Sequence, residues 1–397
     1  MPIVSGFIFL QIEFSEVTIW QRKGTGEFFM PNEFLTVKNI ARAVLPRLIE
    51  NLVFPNLVYK DYSEAYELGR GATIRVRKPV TLTARDFDET LGTSPENIHE
   101  ESVDVTLDKL ATVDAEFGAV ARATSVDDLN RLFVEPAAAA LAEKINADGL
   151  SLYKDIPYFV GTAGTTPDGL DDFANAAKLL DQHKVPASHR FGVWDIDAMA
   201  KFRQLGDIVN AEKSGATAAL RAGSIGNIYG ISNFMSQGVV NHTAGTGSSA
   251  TISVGAAASA GDSTIKLKGA AAFTLKKGDL LTIAGKQYVV TADANVGTTS
   301  TDVTVYPALA ADLATTDTVT ACAGGAQNLV FHENAFAFVT RPLAAPAGVE
   351  SYSTSYNGIT LRITRGYDMK YKKETISADV LYGFKTMYPE LAVRVLG

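Results

Sequence analysis

The sequence predicts an α+β body interrupted by an inserted all-β domain, and three observations carry that prediction. Residues 136–153 form an alanine-rich run with helical periodicity. Alternating stretches of Val, Ile, Leu and Thr lie on both sides of it, at 71–84, 102–107 and 351–364. Between about 238 and 326 the composition shifts to Ala, Thr, Gly and Ser with short strand-like runs, and an apolar, aromatic texture then returns.

The 397 residues are 46% hydrophobic and 20% charged, enough for two or three packing units. A formal net charge of -8, with no basic tail, disfavours sequence-independent nucleic-acid binding. The single cysteine, Cys322, excludes an internal disulfide and reads as a small apolar filler in a β segment. No run approaches the roughly 20 apolar residues of a membrane-spanning helix. The apolar segment 3–10 has no preceding Lys or Arg and is followed by acids, a poor match to a signal peptide. Residues 1–29 are expected to be an extension outside the fold.

Residues 36–52 carry Val37, Ile40, Ala41, Val44, Leu45, Leu48, Ile49 and Leu52 at helical spacing, with Pro46 expected to split them into two short helices. This stretch reads either as an amphipathic arm or as a helix packed on its own domain. Residues 71–84 alternate through Ile74, Val76, Val80 and Leu82. Residues 102–107 alternate again, so the two runs together predict a long two-stranded projection. Its sides differ in charge. Residues 70–85 hold Arg70, Arg75, Arg77, Lys78 and Arg85 with no acid, whereas 96–116 hold seven acids against Lys109. Either this is plain cross-strand pairing, worth about 0.2–1 kcal/mol per pair, or the projection reaches a neighbouring subunit and the charges fix its register.

A short helix capped by Ser125 is expected next, with Leu129, Leu132 and Phe133 inward. In the central helix Pro136 suits the first helical position. Ala137, Ala140, Leu141 and Ile145 form its stripe, Glu143, Lys144 and Asn146 face elsewhere, and Asp148-Gly149 offers a stop that 150–153 could override. Small residues on the stripe allow another backbone to lie close. Pro167 is expected to open a further helix, 190–194 to be a strand, and 198–205 a helix with Asp195 or Asp197 near its start.

Gly223, Gly226 and Gly230 lack the lysine of a phosphate loop and the spacing of a dinucleotide fingerprint, so they read as turn glycines. In the β domain, strands are expected at 263–267, 279–283, 287–291, 302–306 and 318–322. At the end, Asn357-Gly358 between two alternating runs predicts a hairpin, and 374–384 and 391–396 add strands. His99, His183, His189, His242 and His332 show no metal-ligand spacing, and no nucleophile elbow occurs. No catalytic, cofactor-binding or metal-ligating residue is predicted.

Four stretches in this order resemble the major capsid (coat) protein of tailed bacteriophages with the Hong Kong 97-type capsid fold, in particular the short-tailed-phage coat type with an inserted β domain. They are 56–78, with Gly71-Ala-Thr-Ile-Arg-Val-Arg-Lys-Pro79; Val134-Glu-Pro-Ala-Ala-Ala-Ala-Leu-Ala142; Gly223-Ser-Ile-Gly-Asn-Ile-Tyr-Gly-Ile231; and 331–340 with 357–382. The segment Gly278-Asp-Leu-Leu-Thr-Ile-Ala-Gly285 is similar to part of the inserted domain.

The resemblance implies a division into an extension (1–29), N-terminal arm (30–69), extended-loop hairpin (70–124), spine helix (125–160), peripheral α/β domain (161–237), inserted β domain (238–326) and a return to the core sheet (327–397). It implies a non-enzymatic structural protein, found in the virion and assembled in the host cytoplasm. Its hexamers and pentamers would build an icosahedral shell around double-stranded DNA, with scaffolding and portal proteins as partners and with no sequence-specific nucleic acid, membrane or cofactor. Arg70, Arg75, Arg77 and Lys78 against Glu100, Glu101 and Asp104 are the expected subunit contacts. A secreted surface-layer or adhesin protein and a soluble enzyme with an accessory β domain are the alternatives. The first lacks a signal peptide and the second lacks motifs.

Overall fold

In the computed structural model, residues 37–60, 73–77, 102–118, 133–210, 223–370 and 373–397 are described. They belong to one compact unit. The helix α1, Val37–Asn51, is continuous through Pro46, contrary to the expected split. Proline removes the bond to the Arg42 carbonyl, but Arg42 and Pro46 both face solvent, where water serves that carbonyl. Val37, Ile40, Ala41, Val44, Leu45 and Leu48 on the other side are buried. The short helix α2, Phe54–Leu57, follows.

The strands β1, Thr73–Arg77, and β2, Ser102–Thr106, form an antiparallel ribbon of two. The chain between them lies outside the described residues. After two residues β3, Lys109–Gly118, leaves the ribbon and pairs with a different sheet. Asp114 and Glu116 therefore belong to that sheet, which corrects the expected acidic side of the projection. The alternation breaks at Lys109-Leu110, where the chain changes partner, whereas the charge count ran through to 116.

The helix expected around Ser125 also lies outside the described residues. The central helix α3, Glu135–Leu150, has Pro136 in its first turn and runs on as a 3-10 turn to Asp155. Its buried stripe is Ala137, Ala138, Leu141, Ala142, Ile145, Asn146, Gly149 and Leu150. Two expectations are corrected here: Ala140 is exposed, and Asn146 is buried. The Asn146 side chain accepts hydrogen bonds from the Val53 and Phe54 N–H groups at 3.0 and 3.1 Å and donates to the Asn51 carbonyl at 3.2 Å. It thereby supplies the backbone partners missing where α1 ends and α2 begins. Gly149 lets the Phe54 ring lie against α3, since a Cβ there would overlap it. Phe54 packs in turn on Phe331 and Phe336, with centroids 5.4 Å away in each case.

Next come β4, Phe159–Val160, and the helix α4, Leu170–Gln182. Pro167 precedes this helix without opening it; Gly169 is the N-cap, with its N–H donated to Asp172. β5, Arg190–Trp194, leads into α5, Ile196–Phe202, capped by the Asp195 carboxylate, which accepts from Ala198 N at 3.0 Å. β6, Asn227–Ile228, and β7, Ile231–Met235, turn on Tyr229 and Gly230, both with positive φ. β8 is Asn241–His242.

The barrel strands are β9, Ile252–Ala256, and β10, Thr264–Gly269, then β12, Leu280–Ile283, and β13, Lys286–Val290, and finally β15, Thr301–Tyr306, and β16, Thr318–Ala321. They close in the order β10-β15-β13-β12-β16-β9 around Val254, Ile265, Leu267, Leu281, Val290 and Val303. A small side pair is formed by β11, Phe273–Leu275, and β14, Ala294–Val296.

The chain returns as β17, Gly325–His332, and β18, Phe336–Arg341. β19, Glu350–Tyr356, and β20, Ile359–Asp368, meet at Asn357-Gly358, both with positive φ as a two-residue hairpin requires. β21, Lys373–Thr386, and β22, Ala392–Leu396, complete the described strands. Two sheets result. One runs β4-β22-β17-β5-β7-β6, with β8 beside β17, and is covered by α4 and α5. The other runs β18-β21-β20-β19, with β3 along the opposite side of β21; α1 and α3 pack on one of its faces. No helix among the described residues is long and apolar enough to cross a membrane.

Candidate assembly surface

The ribbon is fixed to the body at its root. Val105 is fully buried and Leu107 nearly so, and both pack with Ala337, Val339 and Met387 on the sheet face opposite α1 and α3. The ribbon crosses β21 at Gly383, where a Cβ would overlap the Thr106 carbonyl and lie 3.3 Å from Leu107 Cα. Only glycine permits so close an approach of two backbones.

A carboxylate locks the next step. Asp148, at the end of α3, holds Lys144 and Lys109 at 3.2 and 3.3 Å through one oxygen, and its other oxygen accepts the Tyr382 hydroxyl at 2.5 Å. The helix α3, β21 and the first residue of β3 thus meet at one side chain. Burial alone would raise the Asp148 pKa. The Tyr382 hydroxyl and the two lysines outweigh it and hold the carboxyl below the usual carboxylate range. Burial, with the Asp148 hydrogen bond, pushes the Tyr382 hydroxyl up.

A depressed folded value means that the stabilisation from Asp148 is complete above the unfolded carboxylate range and is lost as pH falls through the folded value. Asp148→Asn is therefore expected to lower stability at pH 7 and to flatten the acid limb of stability against pH. Urea unfolding at a series of pH values measures both; an unchanged acid limb would remove Asp148 from this role.

Of the predicted contact residues, Arg70, Lys78, Glu100 and Glu101 lie outside the described residues. The backbone register sets Arg75 opposite Asp104 and Arg77 opposite Ser102, and Asp104 is exposed. Farther along, Lys373 pairs with Glu116 across β21 and β3, and Arg362 pairs with Asp379 at 2.6 Å across β20 and β21.

The seam between barrel and body is a second site that the sequence reading missed. His242 bridges it, with Nδ1 2.8 Å from the Tyr153 hydroxyl and Nε2 2.7 Å from Asp279. The other Asp279 oxygen accepts the N–H groups of Gly245 and Lys276, and Asp279 is 2% exposed. Arg394, fully buried on β22, donates to the Gly278 carbonyl at 2.9 Å and lies 5.1 Å from the Tyr153 ring centre. Its Nε and one terminal nitrogen have no hydrogen-bond partner among the described residues, and the ring face offers a cation–π contact instead. Burial lowers the Arg394 pKa to about 9. The Gln287 amide bonds both the N–H and the carbonyl of Phe159 at 3.1 and 2.8 Å, covering the edge strand β4 as a neighbouring strand would.

Lys154, which follows Tyr153, packs against Gly278. The only sequence signals for the seam were the turn at Lys277-Gly278 and the Asp that follows it. Among the described residues no cluster of three or more His, Cys, Asp or Glu could hold a metal ion. Cys322 sits partly buried just past β16, its thiol pKa raised by burial.

No family model matches the chain, and no curated protein matches it. Among solved structures it is similar to one from Mycobacterium phage Che8, with a TM-score of 0.52 and 19% identity over 87% of this chain and 90% of that one. A capsid structure of Cyanophage P-SCSP1u gives 0.47 and 13% over 87% and 88%, and one from Mycobacterium phage Ogopogo gives 0.45 and 10% over 86% and 91%. The Che8 likeness is one of fold, and it spans nearly the whole of both chains. The architecture is the α+β Hong Kong 97-type capsid fold with additional β structure, and the resemblance carried by the sequence is met at that level.

Proposed function

We propose that this chain is the major capsid protein of a tailed bacteriophage and assembles with copies of itself into an icosahedral shell that encloses double-stranded DNA. The observation that carries the reading is the fold shared with a phage chain over 87% of this chain, together with a two-stranded ribbon anchored to the body by its root. In this reading the segments 30–69, 70–124 and 125–160 act as arm, extended loop and spine. Residues 161–237 and 327–397 build the peripheral and core sheets, 238–326 is the inserted domain, and 1–29 lies outside the fold.

The charges of Arg70, Arg75, Arg77 and Lys78 against Glu100, Glu101 and Asp104 set the register of the ribbon on a neighbouring copy. The role is structural and without catalysis, with the virion as location and the host cytoplasm as the place of assembly. A scaffolding protein and a portal are the further partners. An acidic chain suits a DNA container, because it does not hold the DNA it must release. No observation favours the surface-layer or enzyme reading. Size-exclusion chromatography with negative-stain electron microscopy on the expressed chain tests the proposal. Closed shells or curved polymers are expected, and a small monomer under all assembly conditions would overturn it.

A further inference from the structure

Beside the seam, between the barrel and the body, lies a cleft of about 640 Å³. Small-ligand sites span about 300–1,000 Å³, so the space is of that order. One wall belongs to the body: Lys154, on the turn that follows α3, and the strand β8 with His242. The other comes from the barrel side: Lys276 and Lys277, between β11 and β12, and Asp293, between β13 and β14.

The charges around this cleft do not cancel pair by pair. Lys277 lies 3.7 Å from Asp155, which also accepts the Thr386 hydroxyl. Asp293 accepts the Lys277 N–H, and Asp279 is taken up by His242 and two backbone N–H groups. Lys154 and Lys276 make no ion pair among the described residues. Nor does Arg394, whose donors reach only the Gly278 carbonyl and the Gln327 side-chain oxygen. The Lys154 Nζ and the Arg394 guanidinium lie 6.0 and 5.1 Å from the centre of the same Tyr153 ring. Arg394 does not line the cleft and acts on it through its field. In a chain of net charge -8, three cations without carboxylate partners are gathered at one concave place, where low-dielectric walls focus the field on a multivalent anion.

The geometry points to a binding site for a compact polyphosphate, held by Lys154 from the body and by Lys276 and Lys277 from the barrel side. Ammonium groups meet phosphate oxygens in charge-assisted hydrogen bonds. The lysines come from both sides of the seam, so the anion bridges barrel and body and stabilises their junction by mass action. His242 is not a ligand, because both of its ring nitrogens are engaged. A free polyphosphate and the tail of a nucleoside triphosphate share this chemistry. The Tyr153 ring in the lining is 1% exposed and leaves no face for a base, which favours the free anion. The site lies within one copy, so it stands or falls apart from the shell reading.

The test is titration calorimetry and thermal unfolding of the full chain with phosphate, pyrophosphate and tripolyphosphate, at ionic strength held constant with sodium chloride. Affinity and melting temperature are expected to rise in that order. Lys154→Gln with Lys276→Gln, its fold checked by circular dichroism, should weaken tripolyphosphate by about tenfold for each lysine removed. Undiminished binding by this variant would overturn the site, as would an equal rise in melting temperature from sodium chloride alone. ATP should bind no more tightly than tripolyphosphate; tighter binding would overturn the assignment to a free polyphosphate. Acetylation of the parent chain, read by mass spectrometry, locates the anion without any substitution. Tripolyphosphate should protect Lys154 and Lys276 and leave the exposed Lys286 reactive. Equal protection of all three would show general screening and overturn the proposal.

Discussion

Replacing Asp279 by alanine is expected to lower the unfolding free energy by about 3–5 kcal/mol, the range seen when one partner of a buried polar or ionic network is removed. The carboxylate is the hub of the seam. It accepts from the His242 ring and from two backbone N–H groups, and all of these lose their partner at once. The damage should fall on the connection between barrel and body, since the apolar interior of the barrel does not include Asp279. Limited proteolysis should therefore cut near 243–251 and 322–325 before either part is degraded, and chemical denaturation should show two transitions where the parent shows one. Asp293→Ala serves as the control: Asp293 is exposed and accepts one N–H, from Lys277, so its loss should cost about 1 kcal/mol or less. Equal effects of the two substitutions would remove the hub role from Asp279.

The second large effect is expected at Gly383. Valine there places a Cβ inside the Thr106 carbonyl, and backbone on both sides leaves no flexible side chain to move away. Overpacking of this kind costs about 1–3 kcal/mol in a rigid interior. Here the ribbon can lift instead, withdrawing Val105 and Leu107 from Ala337, Val339 and Met387. On the proposed shell reading, the expected result is a folded monomer with modestly reduced stability and no competence to assemble. Hydrogen exchange should be faster across 102–107 and unchanged in β19 and β20. Normal particles from Gly383→Val would show that the ribbon root does not govern assembly.

How far the sequence foretold this can be traced through individual residues. Strand alternation located β10, β12, β13, β15 and β16, because a closed barrel buries every second side chain and the pattern is local. It missed β9, whose Ser253, Gly255 and Ala256 are small and weakly patterned, although Ile252 and Val254 are buried. The Asn357-Gly358 hairpin was legible because two positive-φ positions in a row leave few choices of residue. Asn146 was assigned to the solvent side because an amide ordinarily belongs there. Its burial is explained only by three backbone groups nearly a hundred residues away. The same holds for Asp148, Asp279 and Arg394, whose partners are distant in sequence and are brought together by topology. Of the charged residues counted along the projection, Arg75 and Asp104 stand opposite each other in the register, while Asp114 and Glu116 belong to another sheet.

Gly325 and Ala326 lie antiparallel to His242 and Asn241, so the strand that leaves for the barrel and the strand that returns are hydrogen-bonded to each other. Some eighty residues are thus tied off at a neck. The entropy of holding their ends together grows only with the logarithm of what lies between, about 0.6 kcal/mol per doubling. The exposed Ala284-Gly285 turn between β12 and β13 is consequently a natural place to graft foreign peptide, with a short linker absorbing the added length. Cargo displayed there would be carried without asking the sheets beneath to change.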